Sequence, residues 1–185
     1  MHVVELWSGG QAGVDRAVFD LAIELRIPYK GWIPKDRAAE DGPIPARYEG
    51  LVETVSANPA VRTKRNVRDS DATLVITSGP VTGGTALARD TALRLGKPVL
   101  VVDLSRGSVA EAATAVVQWL DSLPSPLRLN VAGPRASHWP DAYEQSQSLV
   151  RAALAGDVAN RSGGIRKAAC SAPSPRRTAP SRDRA

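Results

Sequence analysis

Runs of β-branched and aliphatic residues recur along the sequence and are separated by segments of helical period. Most of these runs do not alternate with polar residues, which is typical of parallel strands buried on both faces. The sequence therefore predicts a mainly parallel sheet that is covered by helices on each side. The predicted strands are residues 3–7, 31–33, 72–77, 98–104 and 127–132.

The segments between the strands place an apolar residue at every third or fourth position, as amphipathic helices do. The first predicted helix is 14–25, and the second is 85–95 with Thr85 as its cap. The third is 109–123, where Ser108 and Glu111 have the spacing of a capping box, and the fourth is 142–154, ending at Gly156. Strands and helices that alternate with short connections predict a three-layer α/β fold with right-handed crossovers.

The segment 34–68 carries charge and proline without a sustained period. Long irregular segments in compact α/β domains are often functional, and the alternative is a lid-like surface excursion with a short helix near 48–55. Lys35 and the charged residues of 62–71 suit contacts with phosphate or another oxyanion. These charges could instead pair with one another at the surface.

Charge divides the chain near residue 160. The net charge is +5; residues 160–185 hold six Arg and one Lys against one Asp, a net of +6, which leaves −1 for residues 1–159. The last segment has one large aliphatic residue, so it cannot bury enough surface to offset the entropy of ordering. We predict a domain over 1–159 and a disordered basic tail over 160–185. The near-neutral domain argues against a nucleic-acid partner, and the tail is interpreted as solubilising charge.

The sequence has no apolar segment long enough to cross a bilayer and no N-terminal signal peptide, which predicts a cytoplasmic protein without a membrane partner. A single cysteine, Cys170, excludes an internal disulfide. Two histidines that lie far apart give no spacing typical of a zinc site, so no metal site is predicted.

Three glycine-containing turns follow predicted strands, at residues 8–13, 82–85 and 133–137. Ligands of open parallel sheets bind beyond the C-terminal ends of the strands. Glycine lets backbone N–H groups approach a ligand closely, and a following helix adds its free N–H groups and a partial positive charge. If the three turns converge on one edge, they form a cradle for an anion. Taken singly, each turn is equally well a tight bend.

No glycine turn matches a known nucleotide loop. The dinucleotide fingerprint G-x-G-x-x-G is absent, and no Gly-Lys-Ser/Thr follows any turn, which excludes a Walker-type phosphate loop. Asp103 lies 19 residues after Gly84 at the end of a predicted strand, where an acid can hold a ribose hydroxyl. A solvated carboxylate at a strand end is the alternative.

An ordered set of motifs gives the chain a family resemblance over about residues 4–154. The motifs are SGGQAGVDR (8–16), WIPK (32–35), AEDGPIP (39–45), RT (62–63), NVRDSDAT (66–73), GGT (83–85) and LNVAGPR (129–135). Together they resemble the family named "putative molybdenum carrier", which is the circularly permuted YpsA-like branch of the SLOG superfamily. The superfamily is related to Lonely Guy and lysine-decarboxylase-like proteins.

The resemblance implies a Rossmann-like fold, circularly permuted relative to other SLOG proteins, whose sheet edge binds a nucleotide-like or other small anionic ligand. It adds molybdate and the molybdenum cofactor as candidate ligands. The turns, the charges around them and the resemblance together predict the ligand-binding residues. They are Ser8, Gly9, Gly10, Gln11, Gly13, Asp15, Arg16, Lys35, Arg62, Asn66, Arg68, Asp69, Gly83, Gly84, Thr85, Gly133 and Arg135.

One departure from the relatives concerns catalysis. Lonely Guy enzymes carry a Glu in Pro-Gly-Gly-x-Gly-Thr-x-x-Glu, and Ala88 holds the matching position here, where it cannot transfer a proton. We therefore expect a binding or carrier protein rather than an enzyme. The alternative is a nucleotide-processing enzyme, such as a phosphoribohydrolase, that uses Glu40, Asp41, Asp69 or Asp71. A nucleic-acid-associated protein is a third interpretation, and the resemblance also implies a homo-oligomer.

Overall fold

The structure, a computed structural model, describes the backbone of residues 3–167 and the side chains of residues 3–155. Strands and helices alternate along this part of the chain, with short 3₁₀ turns at Lys35–Arg37 and Leu104–Arg106. The elements are β1 (Val3–Trp7), α1 (Val14–Glu24), β2 (Tyr29–Ile33), β3 (Leu51–Glu53), α2 (Pro59–Asp69), β4 (Ala72–Thr77), α3 (Gly83–Arg94), β5 (Val99–Asp103), α4 (Val109–Asp121), β6 (Leu127–Ala132) and α5 (Ala142–Lys167).

The strands form one six-stranded sheet in the order β3-β2-β1-β6-β4-β5, and every neighbouring pair is parallel. Helices α1, α4 and α5 pack together on one face, and α2 and α3 pack on the other. This arrangement confirms the predicted Rossmann-like three-layer α/β fold. Because β1, β6 and β4 are adjacent, the turns that follow them leave the sheet at one place.

The core explains why the apolar runs are continuous. All six residues of β4 are buried, since helices cover both of its faces. The main cluster joins β1, β4 and β6 to α1, α4 and α5, with Leu6, Leu74 and Leu129 among its members. A smaller cluster of Val67, Ala88 and Ala92 lies between α2 and α3.

The segment 34–68 is more regular than the sequence predicts. It contains β3 and α2, and the short helix expected near 48–55 is wrong because residues 51–53 form an edge strand beside β2. Helix α2 has a clear start, where Asn58 Oδ1 accepts a hydrogen bond from Ala60 N at 2.9 Å and Pro59 occupies the first turn. It buries only Thr63, Asn66 and Val67, so its sequence lacks an apolar stripe.

The helix ends differ from the predictions at two points. Helix α3 begins at Gly83 with Thr82 as its N-cap, two residues before the expected start at Thr85. The capping box of Ser108 and Glu111 is confirmed at the start of α4. Helix α5 does not end at Gly156 but continues to Lys167. No helix in the described residues combines the length and apolar character needed to cross a membrane.

The domain boundary near 160 and the disorder of 160–185 stay predictions, and residues 168–185 lie outside the described part of the chain.

Candidate functional site

A cleft of about 390 Å³ opens at the C-terminal edge of the sheet, beyond the ends of β1, β4 and β6. All three glycine turns contribute to its wall, so they share one rim. The lining residues are Gln11, Asp15, Arg62, Thr63, Thr77, Ser78, Pro80, Thr82, Gly83, Gly84, Thr85, Ala132, Gly133, Pro134, Arg135, His138 and Trp139. Of the predicted ligand-binding residues, eight line the cleft: Gln11, Asp15, Arg62, Gly83, Gly84, Thr85, Gly133 and Arg135.

The turn between β4 and α3 is open. A Cβ placed on Gly83 or Gly84 would meet no atom within 4 Å. The first hydrogen bond of the helix runs from Ala86 N to Thr82 O at 3.1 Å, and Thr82 makes no side-chain cap. The backbone N–H groups of Gly83, Gly84 and Thr85 therefore have no acceptor among the described residues, and they carry the partial positive charge of the helix N-terminus.

The other two turns pack against each other instead. Gly13 and Arg135 form an antiparallel bridge, and Ala136 N donates to Ala12 O at 3.1 Å. A Cβ on Gly13 would stand 2.9 Å from Ala136 N, and one on Gly133 would stand 2.4 Å from Val14 Cγ2. These glycines allow the close approach that closes one side of the cleft.

Arg62 and Asp15 form a shielded ion pair on the cleft wall. Helix α2 brings Arg62 Nη1 within 3.2 Å of Asp15 Oδ2, and Gln11 N donates to the same oxygen at 3.2 Å. The two side chains are 14% and 4% exposed. Arg62 Nε is buried without a hydrogen-bond partner, and Asp15 Oδ1 accepts no hydrogen bond within the described residues. Arg62 Nη2 also makes no hydrogen bond within the described residues, so the pair keeps a donor and an acceptor for a ligand apart from the buried Nε.

Gly9 makes this position of the arginine possible. A Cβ on Gly9 would lie 1.7 Å from Arg62 Nη1 and 2.3 Å from Cζ. The guanidinium thus rests directly on the backbone of the first turn. Gly9 does not line the cleft, but its missing side chain fixes the cation that does.

A second arginine of the cleft, Arg135, is contacted by Glu40 in the segment that follows β2. Arg135 Nε lies 3.7 Å from Glu40 Oε2, and its side chain is 43% exposed. Ser137 N and Oγ donate to the Glu40 carboxylate at 3.0 and 2.6 Å, while Glu40 N donates to Gln11 Oε1 at 2.9 Å. The segment is therefore tied to both packed turns at the cleft rim.

Two predicted ligand-binding residues hold the scaffold behind the cleft. Ser8 is fully buried, and its Oγ donates to Val131 O at 2.8 Å. Asn66 is buried, and its amide donates to Ser8 O and Trp32 O while its Oδ1 accepts from Trp32 N at 2.7 Å. Their polar atoms join β1, β2 and β6 to α2, so they position the site without lining it.

The remaining predicted residues also lie outside the cleft lining. Arg16 bonds to Gly10 O at 3.3 Å and pairs with Asp41. Lys35 is exposed on the 3₁₀ turn after β2. Arg68 and Asp69 pair with each other at 2.7 Å at the far end of α2.

Asp103 braces the open turn rather than reaching into the cleft. Its Oδ1 accepts hydrogen bonds from Gly79 N at 2.8 Å, Ser105 N at 3.0 Å and Ser105 Oγ at 2.7 Å. Arg106 Nε lies 3.0 Å from Oδ2. The hydrogen bond from Gly79 N and those from Ser105 lower the pKa of this carboxyl to about 2. Asp103 does not line the cleft and its Oδ1 is committed to the turn, so the ribose interpretation is not supported.

Several lining residues were not predicted from the sequence. Ser78 follows β4 directly, and a polar residue after a buried strand was the available signal for it, while Thr82 is the N-cap of α3. His138 and Trp139 follow the third turn, and an isolated histidine was interpreted as a surface or packing residue. His138 is exposed at the cleft, and Trp139 is buried behind it.

The motif match to the Lonely Guy glutamate falls on Ala88. Ala88 is completely buried between α2 and α3. Among the alternative acids, Asp71 is held by Arg128, whose hydrogen bonds lower the pKa of the carboxyl, and neither Asp69 nor Asp71 lines the cleft. No group of three or more His, Cys, Asp or Glu side chains suited to a metal ion occurs in the described residues.

Comparison with known proteins identifies the family. The model of the circularly permutated YpsA SLOG family matches residues 6–154. The fold is similar to a crystal structure of a "putative molybdenum carrier protein" from Syntrophus aciditrophicus SB, with a TM-score of 0.79 and 43% sequence identity over 82% of this chain and 95% of that one. No curated protein matches the chain. The match confirms the resemblance inferred from the motifs, and the chain belongs to the circularly permuted YpsA family of SLOG proteins.

Proposed function

We propose that this protein binds a small anionic molecule in the cleft, with the anionic group at the N-terminus of α3. The observation that carries the proposal is the juxtaposition of free N–H groups at Gly83, Gly84 and Thr85 with the guanidinium of Arg62 on one cleft. Helix N-termini and arginine are the groups that proteins use for phosphates and other oxyanions.

The size and polarity of the cleft favour an organic anion. A volume of about 390 Å³ falls within the range of clefts that hold organic ligands, and it exceeds what a bare oxyanion fills. The acceptor Asp15 Oδ1 lies on the same wall as the cation Arg62, so a ligand with a hydroxyl or amino group could donate to it. A nucleotide-like phosphomonoester has both features.

The name of the similar crystal structure suggests a molybdenum compound as a candidate ligand. The donors of the cleft are backbone N–H groups, hydroxyls and arginines, which suit a tetrahedral oxyanion such as molybdate or the phosphate of a pterin cofactor. In either form the molybdenum compound would be cargo. The proposal assigns binding without catalysis, because Ala88 replaces the acid of the hydrolytic relatives. A cytoplasmic location and self-association stay predictions.

The proposal is tested by calorimetric titration of the full chain with AMP, inorganic phosphate, molybdate and tungstate. We expect AMP to bind, and at a hundredfold excess over its Kd to stabilise the fold by about 2.7 kcal/mol. Arg62→Gln should weaken binding at least about tenfold, because it removes the charged donor.

The matched control is Arg151→Gln, which removes an arginine paired with Glu24 far from the cleft and should leave binding unchanged. If none of the four ligands is bound, or if both variants lose affinity equally, the proposal is wrong. Tight binding of molybdate without AMP would assign the site to the bare oxyanion.

A further inference from the structure

A second recess of about 440 Å³ lies on the α2 face of the sheet, away from the cleft. Two tryptophans, a valine and three basic residues form most of its surface. We call this surface the tryptophan shelf, and its residues are Trp7, Lys30, Trp32, Val52, Arg68 and Arg128.

The strand register explains why these side chains meet. Trp7 pairs with Lys30 across β1 and β2, and Trp32 pairs with Val52 across β2 and β3. Side chains two residues apart in a strand share a face, so Lys30 and Trp32 stand side by side. Helix α2 reaches this face near Trp32 through Asn66. Val52 remains 49% exposed, and the side chains of Lys30 and Arg128 are 56% and 46% exposed.

Positive charge is in excess on the tryptophan shelf. Lys30 contacts Glu5 at 3.2 Å, Arg68 contacts Asp69 at 2.7 Å, and Arg128 contacts Asp71 at 2.7 Å. Each cation keeps N–H groups that these contacts do not use, since Arg68 and Arg128 bond through Nε and Nη2 only.

Arg65 does not line the recess, but it adds a fourth cation beside the shelf. Its guanidinium lies 4.6 Å from the centre of the Trp32 ring, and no carboxylate pairs with it in the described part of the chain. Four cations therefore face three carboxylates around an aromatic and aliphatic floor.

We infer that the tryptophan shelf is a docking site for an acidic protein segment that carries aliphatic side chains. Carboxylates would bond to the free N–H groups of Lys30, Arg68 and Arg128, and an aliphatic side chain would pack on Val52 and the indoles. A second copy of the chain would bring like charges together across a two-fold axis. A nucleic acid carries a phosphate at every residue and would set some of them against Glu5, Asp69 and Asp71, whereas a peptide can alternate its carboxylates with aliphatic side chains that pack on Val52. The inference does not depend on the ligand of the cleft.

The test is calorimetric titration of the full chain with a blocked octapeptide of alternating Glu and Leu, beside a Lys-Leu octapeptide and a twelve-nucleotide oligo-dT. We expect the Glu-Leu peptide to bind with a Kd of about 0.1 mM and the Lys-Leu peptide not to bind. The double variant Lys30→Gln/Arg65→Gln should weaken binding about tenfold, because it removes two cations and leaves the ion pairs of Arg68 and Arg128 in place.

The matched control is Arg94→Gln/Arg106→Gln, which lowers the net charge equally at exposed sites away from the shelf and should change the affinity less than about twofold. Equal loss in both double variants would overturn the inference, as would no binding or equal binding of the Lys-Leu peptide. Oligo-dT binding as tightly as the Glu-Leu peptide, with the same dependence on Lys30 and Arg65, would assign the shelf to nucleic acid instead.

Discussion

Glycine serves different purposes in the turns that meet at the cleft. In the β4–α3 turn, a Cβ on Gly83 or Gly84 would enter open space. In the turns after β1 and β6, a Cβ on Gly9, Gly13 or Gly133 would collide with another part of the chain. The glycines of the β4–α3 turn leave its backbone open to the cleft, and those of the other two turns leave room for the protein itself. Their sequences look alike, so only substitution distinguishes the two purposes.

The largest expected effect is that of Gly133→Ala. Its Cβ would stand 2.4 Å from Val14 Cγ2 and 2.6 Å from Ile76 O, and the carbonyl of a buried strand cannot move aside cheaply. We expect the free energy of unfolding to fall by about 3 kcal/mol and Tm by about 6–12 °C, measured by calorimetry. An unchanged Tm would show that the turn after β6 can move away from Val14 and Ile76 without loss of stability.

Gly9→Ala should have a smaller effect on stability and a clear effect on binding. Its Cβ would displace the Arg62 guanidinium and with it the 3.2 Å contact to Asp15. We expect a loss of about 1–2 kcal/mol in the free energy of unfolding and about tenfold weaker binding of AMP.

A double-mutant cycle checks the cause of the Gly9→Ala effect. Once Arg62→Ala has removed the guanidinium, Gly9→Ala should cost much less stability than it does alone. Strictly additive costs would mean that Gly9 acts through something other than Arg62.

The fold could be predicted where local sequence decides it. The bounds predicted for β1, β4 and β6 match the structure, because most residues of these strands are apolar and buried. Strand β3 and helix α2 were missed. Residues 51–53 form a strand because β2 lies beside them, and α2 packs through little more than Val67. Neither contact leaves a periodic pattern in the sequence.

The site could be predicted in position but not in detail. Parallel topology brings the ends of β1, β4 and β6 together, which is why the three turns share a rim. The purpose of each glycine depends on distant atoms, such as Arg62 beside Gly9 or Ile76 beside Gly133. Asn66 was expected to contact the ligand, but it bonds to the backbone of Ser8 and Trp32. These partners are distant in sequence, so the sequence alone does not show them.

The open turn is braced by a carboxylate at the end of β5. Asp103 holds Gly79 N, and its folded pKa of about 2 lies below the ordinary 3.8, so the ionised carboxylate stabilises the fold above about pH 4. That contribution is lost as the pH falls through about 2. We expect Asp103→Asn to lower Tm between about pH 5 and 7, with the difference from wild type narrowing toward pH 2.

Asp90→Asn is the control for this pH series, since Asp90 pairs with Arg89 at an exposed site of α3. It should change Tm little at any pH. A Tm difference for Asp103→Asn that stays constant down to pH 2 would show that the carboxylate charge does not brace the turn.

Gly84→Ala should have the smallest effect on stability and still impair binding. Its Cβ would meet no atom within 4 Å, and alanine favours a helix more than glycine does, so the free energy of unfolding should change by less than about 0.5 kcal/mol. The methyl group would occupy the space through which an anion reaches the N–H groups of α3, so AMP should bind about tenfold more weakly. Gly107→Ala, just before α4, is the control that should leave affinity unchanged. If Gly84→Ala binds AMP normally while Arg62→Gln does not, the anion lies on the arginine, and the open turn is not its cradle.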